Sequence, residues 1–248
     1  MPRKSRKKVR KVGVIYIALI VLILISILIQ IYSHYLHQKN NNFLQSLSFS
    51  TTAVWGEHLL TEMDKLKASK NYEETEYEIP LPPKNSSEET EYEITYLLAL
   101  QENRTPEKNR EIIQEQFIYG MFFNDKPLTD YFNKQKYSFA EDFEKEFWEI
   151  STIVLIEKQK FDRVRPHILE PKIIPVIEVP PHPAYPSGHA TQAYFAANYL
   201  SEKFPKFKDQ YFKDAQRITH NREIAGVHYP SDSEAGRLLA EKFFETSN

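Results

Sequence analysis

Lys158, Arg165, His189, Arg222, His228 and Asp232 fall in three short clusters whose residue types suit the handling of an oxyanion. The first cluster sets Lys158 six residues before Arg165-Pro166. The second is Pro186-Ser187-Gly188-His189. In the third, Arg222 precedes His228 by an interval of five residues, and three separate His228 from Asp232. Each has an ordinary explanation when taken alone. Lys158 and Arg165 near a helix end would complement its dipole, Ser187 would cap a helix, and Asp232, in Ser-Asp-Ser-Glu before an apolar run, would cap another. Taken together they supply the parts of a phosphoryl-transfer site. Three cations neutralise a dianion, and arginine binds its oxygens as a fork. A helix start beginning with glycine lets backbone N–H groups approach an anion closely. Two imidazoles can take opposite roles, and a carboxylate can fix the tautomer of one of them.

The full pattern is K-x6-RP, then PSGH, then R-x5-H-x3-D, with 19 residues between the first two clusters and 31 between the second cluster and Asn221. It resembles the signature of the type 2 phosphatidic acid phosphatase superfamily, which includes bacterial class A acid phosphatases, lipid phosphatases and vanadium haloperoxidases. Asn221 stands where that family usually has a serine before the arginine. The resemblance implies an all-α fold, a helical bundle phosphatase core. It also implies roles for the matching residues. His228 attacks phosphorus and forms a phosphohistidine, and Asp232 orients its ring. His189 protonates the leaving oxygen and then activates water. Lys158, Arg165, Ser187, the Gly188 amide and Arg222 bind the phosphate. This chemistry needs no metal and no cofactor. The enzymatic alternative is a haloperoxidase holding vanadate against His228, against which the short chain argues. A lipid-phosphate phosphatase is a further alternative, and an inactive tethered binding module is the non-enzymatic one. The substrate class is a soluble phosphomonoester or a lipid phosphate, the former favoured. His167 and His182 match no family position and read as loop or rim residues.

The elements that must carry these clusters can be read around them. Residues 138–160 read as one long helix, with Phe139, Phe143, Phe147, Ile150, Val154 and Leu155 near one face. Seven prolines between 166 and 186 predict an irregular crossing. Helices are expected at 187–204, 207–224 and 231–245. Upstream, residues 51–70 read as an amphipathic helix, and Thr105-Pro106-Glu107 starts another that runs to about Tyr119. A loop is expected around Asn124–Asp130. The heptapeptide EETEYEI occurs twice, at 73–79 and 88–94. The first copy leads into Pro80, Pro82 and Pro83 and is expected to be extended; the second leads into Tyr96, Leu97 and Leu98 and is expected to be helical.

The 248 residues, 27% of them charged, describe a globular chain rather than a disordered one. Residues 1–11 carry seven Lys or Arg and no acid. An uncharged apolar run, Val12 to Ile29, follows and is long enough to cross a bilayer. No small-x-small cleavage pattern follows it, so an uncleaved anchor is expected rather than a signal peptide. Basic residues before such a span favour the cytoplasm. The expected organisation is a cytoplasmic head at 1–11, a transmembrane anchor at 12–32, a polar tether at 33–50 and an extracytoplasmic helical domain at 51–248. The membrane is thus a partner; nucleic acid is not expected, because the basic head adjoins the span. The absence of cysteine excludes disulfides and thiolate metal sites. The sequence does not set the oligomeric state.

Overall fold

The computed structural model describes residues 3–69, 77–116 and 138–247. Two units divide at Ser46/Leu47. The first is one helix, α1 (Arg3–Ser46). It contains, among the described residues, the one helical stretch long and apolar enough to cross a membrane, Leu19–Ser46. The expected tether therefore differs: residues 33–46 continue the helix. No proline or glycine interrupts that segment, so nothing breaks the hydrogen-bond ladder begun in the apolar run.

All regular structure in the described part of the second unit is helical. The helix expected at 51–70 is two pieces, α2 (Phe49–Thr52) and α3 (Glu57–Lys67), with Gly56 as the N-cap of the latter. Next come α4 (Glu88–Glu102), capped by Ser87, and α5 (Pro106–Gln114), capped by Thr105 with proline in the first turn. The second EETEYEI copy thus forms the first half of α4. The first copy lies mostly outside the described residues, as do 117–119 and the loop at 124–130. The remaining helices are α6 (Ser138–Phe161), α7 (Pro166–Leu169), α8 (Gly188–Lys203), α9 (Lys208–Ile224) and α10 (Pro230–Ser247), with one 3-10 turn at Pro205–Phe207.

Helix α8 is the hub, packed by α6, α9 and α10. Its Ala193, Ala196 and Ala197 meet Tyr211, Ala215 and Ile218 of α9, and the small side chains allow close approach. Its Phe195 and Tyr199 join Phe147, Ile150, Leu239 and Phe243 in a second cluster. Burying each of the larger side chains contributes about 1.5–3 kcal/mol. Phe143 is partly buried beside this cluster, whereas Leu155 turns elsewhere, into the cavity described below.

The start of α8 is seated on α10 at Gly236. A Cβ there would lie 2.5 Å from the Ser187 carbonyl oxygen and 2.9 Å from the Ala190 Cβ. Gly236→Ala sets a helix-propensity gain of about 1 kcal/mol against overpacking on backbone that costs about 1–3 kcal/mol. The clash is with main chain, which cannot swing aside, so we expect net destabilisation and weaker anion binding through displacement of Ser187-Gly188. A lowered urea midpoint and a raised KM check this; an unchanged KM refutes the second half.

Candidate active site

Local structure explains each spacing of the three clusters. Lys158 sits in the last turn of α6. The helix ends at Asp162, which adopts positive φ (49°) and whose carboxylate accepts from the Ser50 N–H and hydroxyl of α2. Arg165 then caps α7, with Pro166 as its first residue. Arg222 lies in the last turn of α9. That helix closes with Gly226 at φ 76°, the Gly226 N–H bonding Glu223 O and the Val227 N–H bonding Arg222 O. This pairing is a Schellman closure, which needs a left-handed residue at that position. It turns the chain so that His228 follows at once and Pro230 opens α10. Asp232 lies in the first turn of α10 and bonds back to the Tyr229 N–H at 2.9 Å, so it does cap the helix as well as serve the site.

Lys158, Gly188, His189, Arg222 and His228 line one cavity of about 230 Å³. Lys158 is fully buried and donates to the carbonyls of Pro183 (2.8 Å) and Ala184 (2.9 Å). An ammonium has three donors, so one remains. Arg165, also buried, donates to the carbonyls of Val227, His182 and Pro183 and reaches His228 Nε2 at 3.2 Å. The proline-rich crossing therefore supplies acceptors to buried cations. Neutral carbonyls, not carboxylates, hold Lys158 and Arg165; burial and then the charge of Arg165 push the Lys158 pKa well below its usual range, so an incoming anion would favour its charged form. Arg222 is fully buried; its Nη2 donates to Ile112 O at 2.8 Å, while Nε and Nη1 have no partner among the described residues.

Arginine can only donate, so His228 Nε2 in contact with Arg165 carries a lone pair. The proton then lies on Nδ1, which donates to Asp232 Oδ2 at 3.1 Å. Burial and the charge of Arg165 hold the His228 pKa well below the usual imidazole range. Burial alone would raise Asp232, but Arg163 and the His228 hydrogen bond outweigh it and bring it down to about 2. Burial also lowers Arg165 and Arg222 to about 10. His189, with Nε2 3.4 Å from Gln116 O, is pushed down to about 3 by burial and then by Arg222. Of the expected ligands, Arg165 and Ser187 are not among the residues that line the cavity. The Ser187 hydroxyl accepts from the Ala190 N–H at 3.4 Å as the α8 N-cap, and its N–H donates to Asp232 O at 2.9 Å.

Several contributors were not legible in the motifs. Arg163 is buried, bonds Asp232 Oδ1 at 2.7 Å and Glu93 Oε2 at 3.0 Å, and lies over the Tyr229 ring. His182, expected at a rim, lines the cavity and has Nδ1 3.1 Å from Arg165 Nη2. His167 is half-buried, with no such contact shown. Asn221 donates to Glu111 of α5 (2.9 Å) and to Glu115, its C-cap (2.6 Å). Glu115 also lies 3.6 Å from Arg222, so the asparagine links α5 to the helix end that carries the arginine.

The protonation state of His189 gives a measurable consequence. In the empty site the ring is neutral down to about pH 3. Burial is the larger cause of that depression and Arg222 the next; a bound dianion offsets the Arg222 part, so the ring's pKa rises and binding takes up a proton. Anion affinity therefore rises as pH falls, by up to ~10-fold per unit between the free and bound pKa values of the ring. Sulfate, dianionic throughout, is the clean probe: calorimetry from pH 8 to 5 should show proton uptake, and His189→Asn should flatten the slope.

Residues 149–244 match the PAP2 superfamily model. Among curated proteins, a non-specific acid phosphatase from Providencia stuartii is 37% identical over 57 residues, 23% of either chain. The chain thus matches about a quarter of that relative's length. Among solved structures, a bacterial vanadium-dependent iodoperoxidase superposes with TM-score 0.53 at 16% identity, over 68% of this chain and 51% of that one. A transmembrane PAP2-type phosphatidylglycerolphosphate phosphatase from Bacillus subtilis gives TM-score 0.48 at 17% identity, over 76% and 92%. The segment that carries the site is of the PAP2 type, as the three motifs led one to expect, and the iodoperoxidase shares its helical fold.

Proposed function

We propose that this protein is a membrane-anchored phosphatase that cleaves phosphate esters through a phosphohistidine on His228. One observation carries the reading: Arg222 is buried with Nε and Nη1 unpaired among the described residues, beside a cavity that it lines together with His228, His189 and Lys158. Unpaired buried donors cost about 1–3 kcal/mol each, and a phosphate oxygen removes that cost. In the first step His228 Nε2 attacks phosphorus, and the bond to the ester oxygen breaks as His189 delivers a proton to it. In the second, His189 takes a proton from water, the water oxygen bonds phosphorus, and the P–N bond breaks to release inorganic phosphate. Lys158, Arg165, Arg222 and the α8 N-terminus at Gly188 hold the three remaining oxygens and stabilise their charge. Arg165 exchanges its contact with His228 for one with phosphate.

A second reading concerns the organic part of the ester. Leu59, Trp148, Leu155, Ile177 and Pro180 line the same cavity, and Trp148 is 53% exposed. This apolar lining supports an ester with an apolar group, including a lipid phosphate, alongside a soluble monoester. Release of inorganic phosphate from aryl, nucleoside and diacyl lipid phosphates tests both readings. We expect release from at least one class and negligible bromide oxidation by vanadate-treated protein with peroxide. Bromination without phosphate release overturns the proposal. The orientation, with Leu47–Asn248 outside the cytoplasm, rests on the seven-cation head; protease added outside sealed cells should digest that unit.

A further inference from the structure

We propose that Glu93 is a positioning residue for this reaction: it occupies one arm of the Arg163 guanidinium and so leaves one oxygen of Asp232 to hold His228. The proposal rests on the phosphohistidine reading. A guanidinium facing a carboxylate ordinarily binds both oxygens with two parallel N–H bonds. Arg163 does not. Its Nη1 bonds Asp232 Oδ1 at 2.7 Å, while Nη2 turns to Glu93 Oε2 at 3.0 Å. Asp232 Oδ2 is thereby left for the His228 Nδ1–H and the Tyr229 N–H. Glu93 is itself fixed by its second oxygen, which accepts the Ser231 N–H at 2.6 Å at the start of α10. The Tyr229 ring beneath the guanidinium, 3.9 Å away, sets its plane. All three charged groups are buried, so no water competes for these bonds.

Without the Glu93 charge, Nη2 has no anchor on α4 and is drawn to the second oxygen of Asp232. His228 then loses both its orienting acceptor and part of the negative charge that supports the developing positive ring. The phosphate ligands Lys158, Arg165 and Arg222 make no contact with Glu93, so binding is spared. Glu93 comes from the second EETEYEI copy; its counterpart in the first, Glu78, is exposed.

Steady-state kinetics of the full chain on an aryl phosphate test this. Glu93→Gln keeps an acceptor for Ser231 but loses the charge. We expect kcat to fall about 10-fold, the scale on which partners of a catalytic group act, with KM and inhibition by inorganic phosphate within twofold. Lysine cannot fork, so adding Arg163→Lys should return part of the lost kcat. A wild-type kcat in Glu93→Gln, a KM rising in step with the loss, or a double variant no better than the single one overturns the proposal. Should Glu93→Gln not fold, Glu93→Asp carries the test, with kcat lowered at constant KM expected and an unchanged kcat fatal. His228→Ala, assayed in parallel, reports on the phosphohistidine reading separately: turnover in that variant sinks the reading whatever Glu93 does.

Discussion

His228→Ala should abolish phosphate release, with kcat lowered by ~10⁴-fold or more. Among the imidazoles that line the cavity, this side chain is the one with a carboxylate on its other nitrogen: Arg165 can only donate to Nε2, and Asp232 takes the proton on Nδ1. Without it no covalent route exists. Water would have to attack directly in a site shaped for a ring nitrogen. Substrate binding should survive, since the three cations remain. The expected outcome is therefore a kcat effect with little change in the affinity for inorganic phosphate. His189→Ala should behave differently. With a leaving group that needs no proton, phosphorylation continues while hydrolysis slows. An acid-quenched sample of that variant should hold labelled phosphoenzyme, and the His228→Ala sample none. Label in both would place the nucleophile elsewhere.

Arg163→Met should be the most destabilising single change at the site. It strands two buried carboxylates, Glu93 and Asp232, that share this one guanidinium. Removing one partner of a buried pair typically costs about 3–5 kcal/mol, against a total stability of about 5–15 kcal/mol. The deficit should depend on pH with a definite sign. In the wild type, Asp232 lies at about 2 with Arg163 as the largest cause of the lowering. That stabilisation is present above the unfolded value of 3.8 and is lost as pH falls through the folded one. In the variant Arg163 no longer opposes burial at Asp232 or Glu93, so the folded state binds protons there more readily than the wild type does. The difference in stability between wild type and variant should therefore shrink on acidification from pH 7 to 5. Urea midpoints at the two pH values measure it; a constant difference would mean that lost packing, not stranded charge, is the cause.

The legible part of the site was the part encoded in local chain geometry. Arg222 and His228 are separated by a helix closure of fixed length, and Lys158 and Arg165 by a helix end and a turn, so spacing carries them. Arg163 and Glu93 were not legible because their partnership spans 70 residues. Glu93 also sits in a run of acids that reads as a solvated face. Ser187 was read as a phosphate ligand from the resemblance; its hydroxyl also accepts the Ala190 N–H as a helix cap, which leaves its own O–H to donate. Among the elements, α6, α8, α9 and α10 were legible from apolar periodicity and proline placement. The continuation of α1 through 33–46 was not, since a polar Asn run describes a solvated surface equally well as helix or coil. The split between α2 and α3 was obscured by apolar residues on both sides of Gly56.

The Arg222 donors left unpaired among the described residues have a consequence under the proposed function. Free inorganic phosphate offers them the same oxygens as the ester does. Under the proposed chemistry, the product therefore competes with each new substrate molecule, and ambient phosphate acts as a throttle. Under that proposal, surroundings rich in phosphate would leave the cradle more often filled by product, and poor surroundings would leave it more often open. No separate sensor is needed for such feedback, because the gauge and the catalyst are one cradle.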